Sequence, residues 1–270
     1  MRILFLGDIV GRSGREAVIS SIPMYRKKLD INFVIVNGEN SAGGFGITSE
    51  ICNQFFESGV DVITGGNHSW DQQEIIKYID KEPRLLRPIN HHRSAPGRGE
   101  SIYTTSEGKK VMVINALGQV FMNSINSPFE AIDNALKSVL LGSTVDAIFI
   151  DFHAEATSEK MAMGHFLDGR VSAVIGSHQQ IPTADGRIFR NGTAYQTDAG
   201  MCGDYESIIG MEKNVPLSRF LGKVNKMKMT PALGDATICG VVIDIDDYSG
   251  LAKNIYSIRQ GGCLNNIWPE

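Results

Sequence analysis

Residues 173–185 read AVIGSHQQIPTAD, a short apolar run that stops at a glycine, a serine and a histidine with two glutamines behind it. A run apolar at every position, bounded by polar residues, reads as a buried strand. The same grammar recurs in RILFLGD, NFVIVNGEN, VDVITGGNH, VMVINALG and DAIFIDFH. Segments of helical period lie between these runs. SEICNQFFESG follows the second, with Thr48 or Ser49 as its N-cap, and PFEAIDNALKSVLLG precedes DAIFIDFH. Strand and helix in alternation predict βαβ units around a mostly parallel sheet. Near the close, ATICGVVIDIDDYSGLAKNIYSIRQ alternates as two strands about an Asp-Asp-Tyr-Ser-Gly turn, which predicts antiparallel pairing. No internal repeat, low-complexity tract or linker divides the chain, so residues 1–270 are expected to form one α/β domain.

Composition narrows the function classes. A net charge of −4 provides no field that would gather polyanions, so non-specific nucleic-acid binding is not expected. Four scattered cysteines, Cys52, Cys202, Cys239 and Cys263, form no C-x-x-C pair, which argues against a thiolate zinc site or a disulfide framework and for a reducing, cytoplasmic setting. The opening MRILFLGDIVG is interrupted by Asp8 too early for a signal peptide, and no run approaches the ~18 apolar residues of a membrane span.

The chemistry is concentrated where the strands stop. In open α/β sheets the ligand crevice lies beyond the carboxyl ends of the strands, so residues scattered in sequence converge there. Those residues are Asp8, Glu39 and Asn40, Asn67 and His68, His153, and His178. Taken singly, Asp8 is as easily a helix cap, and His68 or His153 a satisfied structural histidine. Taken together, three of the six histidines follow strands at one sheet edge, whereas His91, His92 and His165 fall in loop or helical contexts as surface or rim residues. Carboxylate, imidazole and amide donors without thiols suit divalent first-row metals, and a shared carboxylate suits two of them. A dinucleotide-binding oxidoreductase is disfavoured, because the glycines of GDIVGRSG are spaced G-x-x-x-G-x-x-G rather than G-x-G-x-x-G.

The ordered set GDIVGRSGR, NGEN, GGNH, DFHAEATSEK and GSHQQIPTAD resembles the calcineurin-like metallophosphoesterases and, within them, the YmdB-like bacterial phosphodiesterases. The resemblance runs nearly end to end. It implies a four-layer α/β sandwich and a dinuclear metal site that hydrolyses phosphodiesters, with cyclic nucleotides among the substrates, RNA ends as a further class, and self-association into a homo-oligomer. On the matching positions it implies that Glu39 bridges, that Asn67, His153 and His178 complete one metal, and that Asp8 and Asn40 serve the other. Manganese, iron and zinc all suit these donors. His68, adjacent to Asn67 yet not needed as a ligand, is the catalytic candidate, a proton donor to the leaving oxygen. Arg12 and Arg170 offer phosphate clamps, although solvated arginine is the plainer reading of both.

The chain departs from the family at one ligand. Resembling enzymes end this strand in Gly-x-His-x-His, whereas here Gln180 stands second, and Val10 stands where many members of the wider family carry another histidine. The site of Asp8, Glu39, Asn40 and Gln180 is therefore expected to be weak or empty; the competing reading is that Gln180 ligates through its carbonyl and the pair stays full. The loop NHHRSAPGRGES, residues 90–101, is expected to select the substrate. The rival function is a degenerate member that binds a nucleotide or RNA and regulates a partner with little turnover.

Overall fold

The computed structural model describes residues 1–122, 126–223 and 227–269. Two six-stranded sheets lie between helices. The first is built from β1 (Arg2–Leu6), β2 (Phe33–Asn37) and β3 (Val62–Thr64), joined through α1 (Gly11–Lys28) and α2 (Ser49–Ser58). After the short α3 (Ile75–Ile79) the chain enters the second sheet with β4 (Glu100–Thr104) and β5 (Lys110–Leu117). It continues through α4 (Pro128–Leu136), β6 (Ala147–His153), α5 (Thr157–Leu167), β7 (Ala173–Ser177), β8 (Arg187–Ile188) and β9 (Ala194–Gln196). The chain then returns to the first sheet with β10 (Gly203–Asp204), α6 (Asn214–Phe220), β11 (Ala236–Ile245) and β12 (Ala252–Gln260). Strand order is β10-β11-β1-β2-β3, with β12 also on β11, in one sheet and β4-β5-β6-β7-β9-β8 in the other. Parallel pairs join β1, β2 and β3, and join β5, β6, β7 and β9; β4, β8, β10, β11 and β12 pair antiparallel.

The continuous apolar runs follow from this layering. Alternate residues of a strand face opposite sides. In β1 and β2, Leu4, Leu6, Val34 and Val36 pack under α1 and α2 with Val18, Ile22 and Phe55. Their neighbours Ile3, Phe5, Phe33 and Ile35 face Val111, Val113 and Phe149 of the other sheet. Met112, Ile114, Ile148 and Ile150 turn outward to meet Ile132 of α4 and Met163 of α5. The result is the expected four-layer α/β/β/α sandwich. Thr48 caps α2 as expected, its side chain accepting from the Ile51 amide at 3.3 Å. The apolar period of 128–142 ran past the true end of α4 at Leu136; beyond it Leu140 is exposed and the chain turns back through Leu141 and Val145. Among the described residues no helix is long and apolar enough to cross a membrane.

Candidate metal centre

Because β1, β2, β3, β6 and β7 run parallel within their sheets, their carboxyl ends deliver side chains to one edge of the sandwich. His153, fully buried at the end of β6, is the hub. Its Nε2 lies 2.9 Å from Glu39 Oε1 and 3.1 Å from both Asn67 Oδ1 and His178 Nδ1. Among the described residues, the Glu39 carboxylate and the His153 and His178 imidazoles form the group of potential ligands close enough together to share one ion, and Asp8 lies outside it. Asp8 is nonetheless buried at the same edge, accepting from the His178 amide at 3.1 Å. Asn40 donates through Nδ2 to Glu39 Oε1 at 3.2 Å. Gln180 Oε1 is buried without a hydrogen-bond partner. Val10 is packed against Gly210 and offers no donor.

Outer contacts fix how these rings present their nitrogens. Asp151 Oδ1 accepts from the Ser177 hydroxyl at 2.5 Å, and with its proton so used Ser177 Oγ accepts from His153 Nδ1 at 2.9 Å. Asp151 is itself held by Asn37 Nδ2 at 2.9 Å and by Thr64 Oγ1. His178 Nε2 faces Glu155 Oε2 at 3.1 Å, which leaves its Nδ1 lone pair turned toward His153. Such outer partners set the tautomer and orientation of metal-binding histidines. The chain makes room for the cluster at Gly66, where a Cβ would come within 2.3 Å of Glu39 Oε2 and 2.5 Å of His153 Nε2. It also accepts left-handed backbone at His178 (φ 93°) and Gln180 (φ 66°), which non-glycine residues adopt at a cost and which is common at functional sites.

The electrostatics fit a cation. Burial disfavours charge on every member. It raises the Asp8 carboxyl above its ordinary range and lowers His178 to about 3. Burial also opposes charge on His153, yet the adjacent Glu39 carboxylate overrides it and lifts the imidazole to about 9, while Glu39 is drawn down by the same contact. The Glu39 oxygen, the Asn67 oxygen and the His178 nitrogen thus crowd the His153 nitrogen, an arrangement that positive charge, a proton or a metal ion, reconciles. Asp8 and Asn40 lie at the same edge, and the Gln180 carbonyl is buried without a partner.

A cleft of about 880 Å³ opens above the cluster, floored by Glu39, Asn40, His68, His178 and Gln180. Phe45, Ile209, Met211 and Phe220 form an apolar wall, and Arg219 also lines it. The His68 ring packs edge-on to Phe45, and its Nδ1 lies 2.7 Å from Asp71 Oδ2. Arg12 is 71% exposed near Glu16, and Arg170 pairs with Asp133 at 2.7 Å, so the solvated reading of both holds. Residues 90–101 do not line this cleft. The segment runs into edge strand β4 and lines a separate cleft, so it is not the rim that the sequence suggested. Asp71, Glu155, Asp151, Ser177 and Arg219 escaped the reading of the sequence; only the spacing of Asp71 three residues after His68 was a usable signal.

The model of the YmdB-like protein family matches residues 4–258. The 2',3'-cyclic-nucleotide 2'-phosphodiesterase of Bacillus subtilis (strain 168) is 46% identical over 259 residues, 96% of each chain. The crystal structure of a hypothetical protein from Thermus thermophilus superposes with TM-score 0.90 at 36% identity, covering 97% of this chain and all of that one. A novel phosphatase from Mycoplasma pneumoniae superposes with TM-score 0.89 at 30% identity, covering 97% of this chain and 93% of that one. With a match across nearly its whole length, in family model, sequence and fold alike, the chain belongs to the YmdB-like family.

Proposed function

We propose that this protein is a metal-dependent phosphodiesterase acting on cyclic nucleotides in the cytoplasm. The observation that carries the reading is the meeting of Glu39 Oε1, Asn67 Oδ1 and His178 Nδ1 around His153 Nε2, at 2.9–3.1 Å, under an open cleft. Glu39, Asn67, His153 and His178 would hold the tighter ion, and Asp8, Glu39, Asn40 and Gln180 the weaker one. Manganese, iron and zinc are compatible with these donors. A divalent cation so held supplies Lewis acidity toward the phosphoryl oxygens and brings the pKa of water near neutrality.

The chain's own residues do the rest. Asp71, accepting from His68 Nδ1–H, orients the ring and leaves Nε2 as the atom that exchanges a proton with the leaving oxygen. Phe45 and Phe220 offer faces on which a base stacks, and Arg219 a guanidinium for the phosphate. The name of the Bacillus relative supports 2',3'-cyclic nucleotides as the substrates; turnover of a diester is expected to exceed that of the matching monoester under the same metal. The test is His68→Ala. Turnover of a 2',3'-cyclic nucleotide with manganese is expected to fall roughly 100- to 10,000-fold while metal per chain, by elemental analysis, stays unchanged. Wild-type protein that binds metal and nucleotide without turning over any diester would instead make the chain a regulatory binder.

A further inference from the structure

We propose that the second cleft, about 810 Å³ between residues 87–100 and the flank of α4, binds a phosphomonoester carried on a hydroxylated ring, the chemistry that nucleoside monophosphates and sugar phosphates share. The cleft contrasts with the first in being lined mainly by polar groups, with Ile89, Ala131 and Ala135 interspersed. Arg87, Arg93 and Arg98 face it against Glu100 and Glu130, an excess of cation. Arg87 is only 6% exposed; Nη1 donates to the carbonyls of Pro88 at 2.8 Å and Ile89 at 3.3 Å, but Nε has no hydrogen-bond partner. Among the described residues, buried Nε2 of His91 and Oε2 of Glu100, on the same cleft, also lack partners. A buried polar atom left unpaired is costly and uncommon, so three on one cleft mark a surface built for an occupant.

The three atoms differ in what they require, and together they define the ligand. Guanidinium groups match the oxygens of a phosphoryl or carboxylate group, and three of them suit the dianionic phosphomonoester better than a single carboxylate. Glu100, whose charge burial opposes and the nearby Arg87 guanidinium favours, still has Oε2 without a hydrogen bond, and a hydroxyl or amino donor beyond the phosphate would supply one. The volume is that of a small-molecule site. Asn90 stiffens the floor, donating to the Leu117 and Asn126 carbonyls at 2.8 Å each and accepting from the Leu117 amide at 2.9 Å. One lining residue reaches the loop that carries Asn67 and His68: the His91 ring meets the Trp70 ring edge-on at 4.7 Å. An occupant held by His91 therefore bears on that loop.

The experiment is calorimetric titration of the full-length protein with AMP, ribose 5-phosphate and inorganic phosphate, with diester turnover recorded in parallel. Binding in the second cleft does not depend on the metal centre, so either reading can fail alone. Arg93 and Arg98 are exposed, and the double variant Arg93→Ala/Arg98→Ala is expected to weaken AMP at least about tenfold. Glu100→Gln is expected to weaken AMP and ribose 5-phosphate but not inorganic phosphate. In Trp268→Phe, which leaves Trp70 as the single tryptophan, AMP is expected to shift its emission saturably. Preference for AMP over ribose 5-phosphate would identify a nucleotide site, and equal affinity a sugar-phosphate site. The proposal is overturned if none of the three probes saturates, which would mean hydration only, if the double variant binds as wild type, or if Phe220→Ala in the first cleft abolishes binding.

Discussion

His153 meets three donor atoms with a single nitrogen, and that geometry makes metal binding a competition with a proton. Burial alone would lower its pKa, but the Glu39 carboxylate raises it to about 9, so at neutrality the metal-free ring is charged. A proton held more tightly in the folded chain contributes stability that is complete below the ordinary imidazole value of about 6.5 and is lost as pH rises through about 9. Asp8, raised by burial, acts in the same sense. An arriving cation expels the proton, so affinity should rise up to about tenfold per pH unit for each proton released. The difference in Tm between manganese-loaded and metal-stripped protein should therefore widen from pH 6.5 to 9; a constant difference would refute the exchange. Gln180 has the reverse problem, a buried carbonyl oxygen with no donor. A carbonyl is a harder and weaker ligand than imidazole. Gln180→His should bring metal content toward two ions per chain and raise turnover at low metal concentration. Wild type already carrying two tightly bound ions, or a variant with unchanged content, would mean that the glutamine ligates fully.

At the scale of elements, the turn after β7 must hold His178 and Gln180 in left-handed backbone, and α5 supplies the clamp. Lys160, 1% exposed, reaches Asp198 Oδ2 at 2.9 Å and Gln179 Oε1 at 3.1 Å, while Asp198 Oδ2 accepts from the Gln179 amide at 3.0 Å. Removing one partner of a buried ion pair strands the other. Lys160→Met should cost about 3–5 kcal/mol in urea unfolding and weaken metal binding with it. A loss below about 1 kcal/mol would show that the pair is not the clamp. This clamp also shows where the sequence was readable. Asp8, Glu39, Asn67, His153 and His178 stood out because apolar runs buried on both faces end at them, and period and burial are local properties. Lys160, Asp198, Asp151 and Ser177 did not stand out, since their partners come from other elements and nothing in the neighbouring residues announces the pairing. The two- and three-residue strands β8, β9 and β10 are too short to carry a period, and α6, which brings Arg219 and Phe220 to the cleft, has only seven residues.

Across the whole molecule the donors are divided between the two sheets. Asp8, Glu39, Asn40 and Asn67 follow β1, β2 and β3 of one, whereas His153, His178 and Gln180 end or follow β6 and β7 of the other. The apolar layer between them, with Ile3, Phe5, Phe33 and Ile35 against Val111, Val113 and Phe149, is common to both sheets. A cation held at the edge would therefore tie together surfaces that this layer already joins, and we expect residues 1–270 to unfold as one unit. An ion bound only by the folded state adds about 2.7 kcal/mol at a free concentration one hundred times its Kd. For a chain of this size that corresponds to a rise in Tm of roughly 5–10 °C. Stripping the metal should lower hydrogen-exchange protection at the carboxyl ends of β2 and β3 and of β6 and β7 together, because each half loses its partner through the same ion. Protection lost from one sheet alone, or two separate unfolding transitions in the loaded protein, would show that the sheets are independent units and that the cation does not join them.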